Sequence, residues 1–196
     1  MDASIFIAGS GGQGVLSLGR VLVNAVAREN RFATYYPSYG AEIRGGTANC
    51  MVKVSDAIIH SPVITTPTEM IVMNLPSLLK FGVRHLPSRA LIINSTLADD
   101  TAHPVLGTGG KIRVVRIPAT GIAERLGAVR VANMVMLGAL LAEAPVVDTI
   151  SVEQAITDVF TDAFAAVNLR AFRTGYHLVH TRTAGDNASI REGTAP

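Results

Sequence analysis

The sequence predicts an α/β domain, a three-layer Rossmann-like arrangement with a mostly parallel sheet and an antiparallel hairpin. Three observations carry that reading. A short apolar run, Ile5-Phe6-Ile7-Ala8, leads into Gly9-Ser10-Gly11-Gly12-Gln13-Gly14 and then into a helical pattern. That is the strand–turn–helix order of a phosphate-cradling loop. Further short apolar runs at 69–73, 90–93 and 111–117 alternate with helical stretches, as strands of a parallel sheet do. The length, 196 residues, suits one domain with a full core.

Ser4 to Ala8 reads as a buried first strand. Val15 to Arg28 repeats apolar residues at helical spacing, through Leu18, Val21, Leu22 and Ala25. Phe32 to Tyr36 is the second strand. Pro37 to Gly46 is rich in turn-forming residues and reads as a loop. Thr47 to Val54 is a third strand, with Ala57 to His60 as its expected hairpin partner. Glu69 to Met73 is a strand ending at Asn74. Pro76 then opens a helix to about His85, proline being favoured at the first helical position. Ala90 to Ile93 and Lys111 to Ile117 are strands, and Thr120 to Leu126 is a short helix. Val131 to Ala142 is a helix with no polar face, which predicts cover on every side. Ser151 and Gln154 form a capping-box pattern for a helix to about Val167. Leu169 to His180 is the last helix. Residues 1–180 form one domain, and the polar segment 181–196 reads as a disordered tail.

The chain is 48% hydrophobic and 16% charged, apolar for a globular domain of this size. No run has the uninterrupted length of a membrane span, and Met1-Asp2-Ala3 lacks the basic start of a signal peptide. A buried subunit interface accounts for the surplus. A net charge of +2 gives no strong field for nucleic acid. Cys50 is the sole cysteine. It excludes an internal disulfide, fits the reducing cytoplasm and cannot supply the thiolates of an iron–sulfur cluster.

Chemistry concentrates at one edge of the expected sheet. The glycine loop, Pro37-Ser38-Tyr39, Asn74 and Asn94-Ser95 each follow a strand, so parallel strands would gather them where open α/β sheets bind ligands. Asn74 is equally a helix cap, and the glycines equally a packing turn. A dinucleotide site also needs an acid about 20 residues beyond the loop to hold a ribose. Glu29 comes too early and Glu42 lies past the turn. A free-standing NAD(P)-binding dehydrogenase is therefore the weaker reading, beside a purely structural subunit.

Two motifs together carry a family likeness: Gly9-Ser-Gly-Gly-Gln-Gly-Val, and Pro37-Ser-Tyr-Gly-Ala-Glu-Ile-Arg-Gly-Gly-Thr-Ala-Asn-Cys50. The pair resembles the gamma subunit of 2-oxoacid:ferredoxin oxidoreductases, and the likeness continues through Asn74-Leu-Pro-Ser-Leu, Leu91-Ile-Ile-Asn-Ser and Asn133 to Leu141. The resemblance implies a non-autonomous component of a complex that decarboxylates a 2-oxoacid oxidatively to an acyl-CoA. Thiamine diphosphate, Mg and [4Fe-4S] clusters would lie in alpha, beta and ferredoxin-like delta subunits. Those subunits would pass electrons to ferredoxin or an NAD(P)-linked acceptor. The second motif looks most like versions acting on 2-oxoglutarate or branched-chain 2-oxoacids, with aryl glyoxylates as a further choice. This chain would contribute coenzyme A binding, expected at Gly11, Gly12, Gln13, Gly14, Ser38, Tyr39, Arg44, Gly45, Gly46 and Asn74, with no catalytic or metal-binding residue of its own.

Overall fold

The computed structural model describes residues 2–39, 46–98 and 112–192, and the side chains of these residues apart from Tyr39 and 182–192. Six strands form one sheet: β1 (Ala3–Ser10), β2 (Phe32–Tyr39), β3 (Thr47–Ser55), β4 (Glu69–Val72), β5 (Ala90–Asn94) and β6 (Arg113–Ile117). Helix α1 (Val15–Arg28) follows β1, α2 (Leu75–Phe81) follows β4, and α3 (Ala119–Arg125) follows β6. A 3-10 turn (Val129–Val131) leads to α4 (Ala132–Glu143), α5 (Thr149–Val159) and α6 (Asp162–Glu192).

The sheet order is β2-β3-β1-β4-β5-β6. β1, β4, β5 and β6 run parallel, while β3 is antiparallel to both β1 and β2. The expected hairpin therefore exists with a different partner. Residues 57–60 form no strand, and β2 pairs with β3 from Phe32↔Ser55 to Tyr39↔Ala48. β2 also runs three residues past the expected Tyr36 and takes in Pro37, Ser38 and Tyr39. A proline fits there because β2 is an edge strand, where a missing N–H breaks no ladder.

The two faces of the sheet are covered unequally. Ile5, Ile7, Cys50, Val52, Ile71 and Ile92 pack against α1, α3 and α4. Phe6, Ala8, Met70, Val72, Leu91 and Ile93 meet the short α2 through Leu78. Every residue of α4 from Ala132 to Leu141 is buried. The cover comes from within the chain: α6 crosses α4 with backbone against backbone. A Cβ on Gly138 would collide with Phe172 O and Tyr176 N, and one on Gly175 with Val135 O. The apolar surplus is thus spent largely inside the domain.

The C-terminal helices also depart from expectation. Asp148, not Ser151, caps α5, its Oδ1 accepting from Ile150 N at 2.7 Å. The helix then stops at Val159 rather than Val167, because Phe160 takes an extended conformation. One helix continues from Asp162 through Glu192, where polarity alone suggests a disordered tail from Thr181. Polar residues such as Arg and Thr carry only small helix penalties, and no proline interrupts the run before Pro196. No helix among the described residues is long and apolar enough to cross a membrane.

Candidate functional site

The glycine loop is held by a compact polar network. Ser10 N donates to Gln13 Oε1 at 2.8 Å, and Gln13 N donates to Ser10 O at 3.1 Å. Asn74 Nδ2 donates to Gln13 Oε1 at 2.6 Å and to Ser10 Oγ at 2.8 Å, while its Oδ1 accepts from Ser77 N at 2.9 Å. Asn74 therefore caps α2 and also braces the loop across the β1/β4 boundary. Gln13 keeps its amide oxygen for the loop itself. Gly11 N donates to Gly46 O at 3.2 Å, which ties the loop to the start of β3.

The glycines serve different purposes. Gly9 lies within β1, where a Cβ would press on Val15, Gln13 and Met73. Gly12, at φ +90°, and Gly11 have open space where a Cβ would go, and both are exposed at the cavity wall. Gly14 starts α1 in the left-handed region at φ 71°. A Cβ there would strike the side chain of Asn133, whose Nδ2 donates to Gly14 O at 3.0 Å. Met134 N in turn donates to Asn133 Oδ1 at 2.9 Å. The start of α4 thus holds the start of α1.

These contacts leave the first-turn N–H groups of α1 at Val15, Leu16 and Ser17 unused by the helix. They border a cavity of about 620 Å³ whose other walls are Ala48, the 3-10 turn, Asn133 and the α5–α6 junction. The lining is mainly apolar, through Val15, Leu16, Val129, Val131, Phe160, Phe164 and Val167. Arg130 is exposed and lines this cavity as well as a smaller one of about 90 Å³ bounded by Gly12, Gln13 and Met73. A helix N-terminus with a nearby guanidinium and open glycines suits a polyanion carrying an apolar body.

Of the residues expected at the site, Gly11, Gly12 and Gly14 line the large cavity and Gln13 the small one. Gly46 and Asn74 act on the loop from behind. Ser38 shares a rung with Asn49 and Ala8 on the α2 face of the sheet, away from the cavity. The Tyr39 backbone pairs with Ala48. Arg44 and Gly45 lie outside the described residues. Arg130, Phe160, Phe164 and Asn168 line the cavity without belonging to any recognised motif. The only sequence signals for them were a basic residue shortly after Gly127 and a lone carboxamide in an apolar helix stretch.

Other reactive groups are structural. Cys50 is buried, packs beside Gly19 and has its thiol pushed up to about 12 by burial, which removes it as a nucleophile. No cluster of three metal-ligating side chains exists among the described residues. A buried carboxylate, Glu69, and a partly buried one, Glu143, sit at the opposite, amino edge of the sheet. Glu69 lies 2.8 Å from Arg89 Nη2, and Glu143 lies 2.8 Å from Arg113 Nε. Burial raises both carboxyls despite those arginines. Glu69 and Arg89 join the starts of β4 and β5, and Glu143 and Arg113 join the end of α4 to the start of β6, far along the strands from the glycine loop.

The fold is an α/β domain with a cavity at the carboxyl end of β1, the first of its parallel strands. Residues 4–178 match the family model described as pyruvate ferredoxin/flavodoxin oxidoreductase, and the chain belongs to this family. The ketoisovalerate oxidoreductase subunit VorA of Methanothermobacter thermautotrophicus is 35% identical over 188 residues, covering 94% of this chain and 38% of that protein. The chain thus spans about two-fifths of the length of that relative. The 2-oxoglutarate synthase subunit KorC of the same organism is 34% identical over 177 residues, covering 89% of this chain and 94% of that one. Among solved structures, the keto/oxoacid ferredoxin oxidoreductase gamma subunit of Geobacter sulfurreducens superposes with a TM-score of 0.77 at 25% identity, covering 90% and 98% of the two chains. A 2-oxoglutarate:ferredoxin oxidoreductase of Magnetococcus marinus with 2-oxoglutarate, coenzyme A and succinyl-CoA bound shares the fold. It gives a TM-score of 0.81 at 24% identity over 92% of this chain and 31% of that one.

Proposed function

We propose that this chain is the gamma subunit of a 2-oxoacid:ferredoxin oxidoreductase and that its glycine-loop cavity receives coenzyme A. The observation that carries the reading is the α1 N-terminus opening, beside Gly11, Gly12 and Arg130, onto a mainly apolar cavity of about 620 Å³. Coenzyme A combines pyrophosphate and ribose phosphate with a long, weakly polar arm and a flat base. Free N–H groups and a guanidinium meet the phosphates, and the apolar walls meet the rest. Coenzyme A supplies the thiol that takes up the acyl group. The residues of this chain bind it, orient it and shield it from water.

The sheet order argues against a dinucleotide instead. In a nicotinamide site the second parallel strand adjoins the first and its end holds the ribose. Here the antiparallel β3 separates β2 from β1, so the end of β2 lies one strand further from the loop. With Cys50 alone, iron–sulfur clusters do not fit this chain. They belong, with thiamine diphosphate and Mg, to alpha, beta and delta partners, through which electrons reach ferredoxin or an NAD(P)-linked acceptor. The substrate is a 2-oxoacid, and 2-oxoglutarate is favoured by the near full-length match to KorC. Branched-chain 2-oxoacids and aryl glyoxylates are the alternatives.

The test is Arg44→Ala and Arg130→Ala in the assembled complex. Loss of one charge-assisted phosphate contact should raise the KM for coenzyme A about tenfold. The KM for the 2-oxoacid and the subunit composition should stay near normal. Dissociation of the complex, or an unchanged KM for coenzyme A in both variants, would favour the structural-subunit reading.

A further inference from the structure

We propose that the α2 face of the sheet is a docking surface for a partner subunit of different sequence, one that presents an apolar centre rimmed by carboxylates. This rests on the reading that the chain is one subunit of a complex, and not on what the glycine-loop cavity binds. Six exposed apolar side chains and the charge around them carry the inference.

Among the described residues the only helix packed on this face is α2, seven residues long. Tyr36 of β2 shares a rung with Met51 and Phe6, which belong to the α2-side core. Phe32 lies four residues earlier on the same strand and therefore on the same face. Leu79, Val83 and Leu86 follow at helical spacing along α2 and the turn that prolongs it, where Gly82 N donates to Leu78 O and His85 N to Phe81 O. The two groups flank one another, because the Phe6 ring lies 5.4 Å from Phe81 and 4.2 Å from His85. Leu97 stands beside the start of α2, its carbonyl accepting from Leu75 N at 2.9 Å. All six are exposed, Leu79 by 55% and Val83 by 65%. Large apolar groups gathered on one face in water mark an interface.

The charge selects the partner. Between Asp56 and Asp99 the sequence holds one acid, Glu69, which is buried and paired with Arg89. Lys80 and Arg84 are exposed beside the apolar stripe, and Lys80 is held by donation to Thr47 Oγ1 at 2.7 Å. A second copy of the chain does not fit. A twofold interface sets the same patch on both sides, so Lys80 and Arg84 would meet like charges with no carboxylate to answer them. A partner with Asp and Glu at its rim answers both. A protein fits better than a lipid surface, because in VorA the matching region is 38% of a longer chain, and further polypeptide is thus joined to it. Leu97 also lines the small cavity beside Gly12 and Gln13, so the seated partner would border the glycine loop.

The test is Leu79→Glu, Val83→Glu and Arg84→Glu in the full chain purified with its partner subunits. These positions are exposed, so the variant chains should keep the wild-type Tm. Leu79→Glu and Val83→Glu should weaken assembly at least about tenfold. Arg84→Glu should weaken it about tenfold at low salt and less at high salt, where the charges are screened. Ile150→Glu, at a position 67% exposed on α5, should leave assembly unchanged. Normal assembly of the Leu79 and Val83 variants, or equal loss in Ile150→Glu, would overturn the docking surface and leave the subunit reading standing. Self-association of the free chain that Val83→Glu abolishes would overturn it in favour of a second copy. Binding to vesicles of anionic phospholipid that Arg84→Glu abolishes would overturn it in favour of a membrane. A wild-type chain that purifies without partners would overturn both the surface and the subunit reading.

Discussion

Gly14 shows how much one missing side chain decides. It starts α1 at φ 71° and touches the Asn133 amide that anchors α4. Alanine would pay the left-handed penalty of about 1–2 kcal/mol and also push against Asn133. Gly14→Ala should therefore destabilise the domain by about 2–3 kcal/mol in urea unfolding, somewhat beyond the backbone term alone. Combining it with Asn133→Ala should restore part of the loss, and strict additivity would show that the contact is unimportant. At this scale the sequence was only partly informative. The glycine spacing marked the loop, but it could not tell that Gly9 packs within a strand while Gly14 abuts a residue 119 positions away. Asn74 was legible as either cap or ligand. The structure uses both ends of its amide inside the protein.

Among the elements, the pair α4 and α6 binds the domain together. Their approach at Gly138 and Gly175 is backbone on backbone, so neither helix can yield by a rotamer change. Gly138→Ala should cost about 3 kcal/mol or prevent folding. Gly121→Ala in α3 is the contrasting case, because the nearest atoms to its Cβ would be 3.8 Å away. There the helix propensity gain should stabilise by about 0.5–1 kcal/mol. Opposite shifts in Tm for these two glycines are the expected result, and equal shifts would contradict the close crossing. Burial of α4 was readable from its uniform apolarity. What would cover it was not, because a helix that is hydrophobic all round looks the same under another helix as under another subunit. The break between α5 and α6 was missed for a related reason: Phe160 and Thr161 are ordinary helix residues in isolation.

Across the whole molecule, the lining of the candidate site gathers at one edge. β1, α1, the 3-10 turn, α4 and the α5–α6 junction all reach the same cavity, although they span residues 10 to 168. The parallel strands and the glycine loop were visible in periodicity and punctuation, so this edge could be anticipated. Its outer wall could not, because Arg130, Phe164 and Asn168 belong to no motif and meet the loop only through tertiary packing. Hydrogen exchange of the assembled complex, with and without saturating coenzyme A, tests the central claim most directly. Exchange should slow in the first turn of α1 and in the segments 128–131 and 160–168, which contribute to the cavity lining. Protection confined to α2 or the outer face of β2, or no change in these segments at saturation, would contradict it.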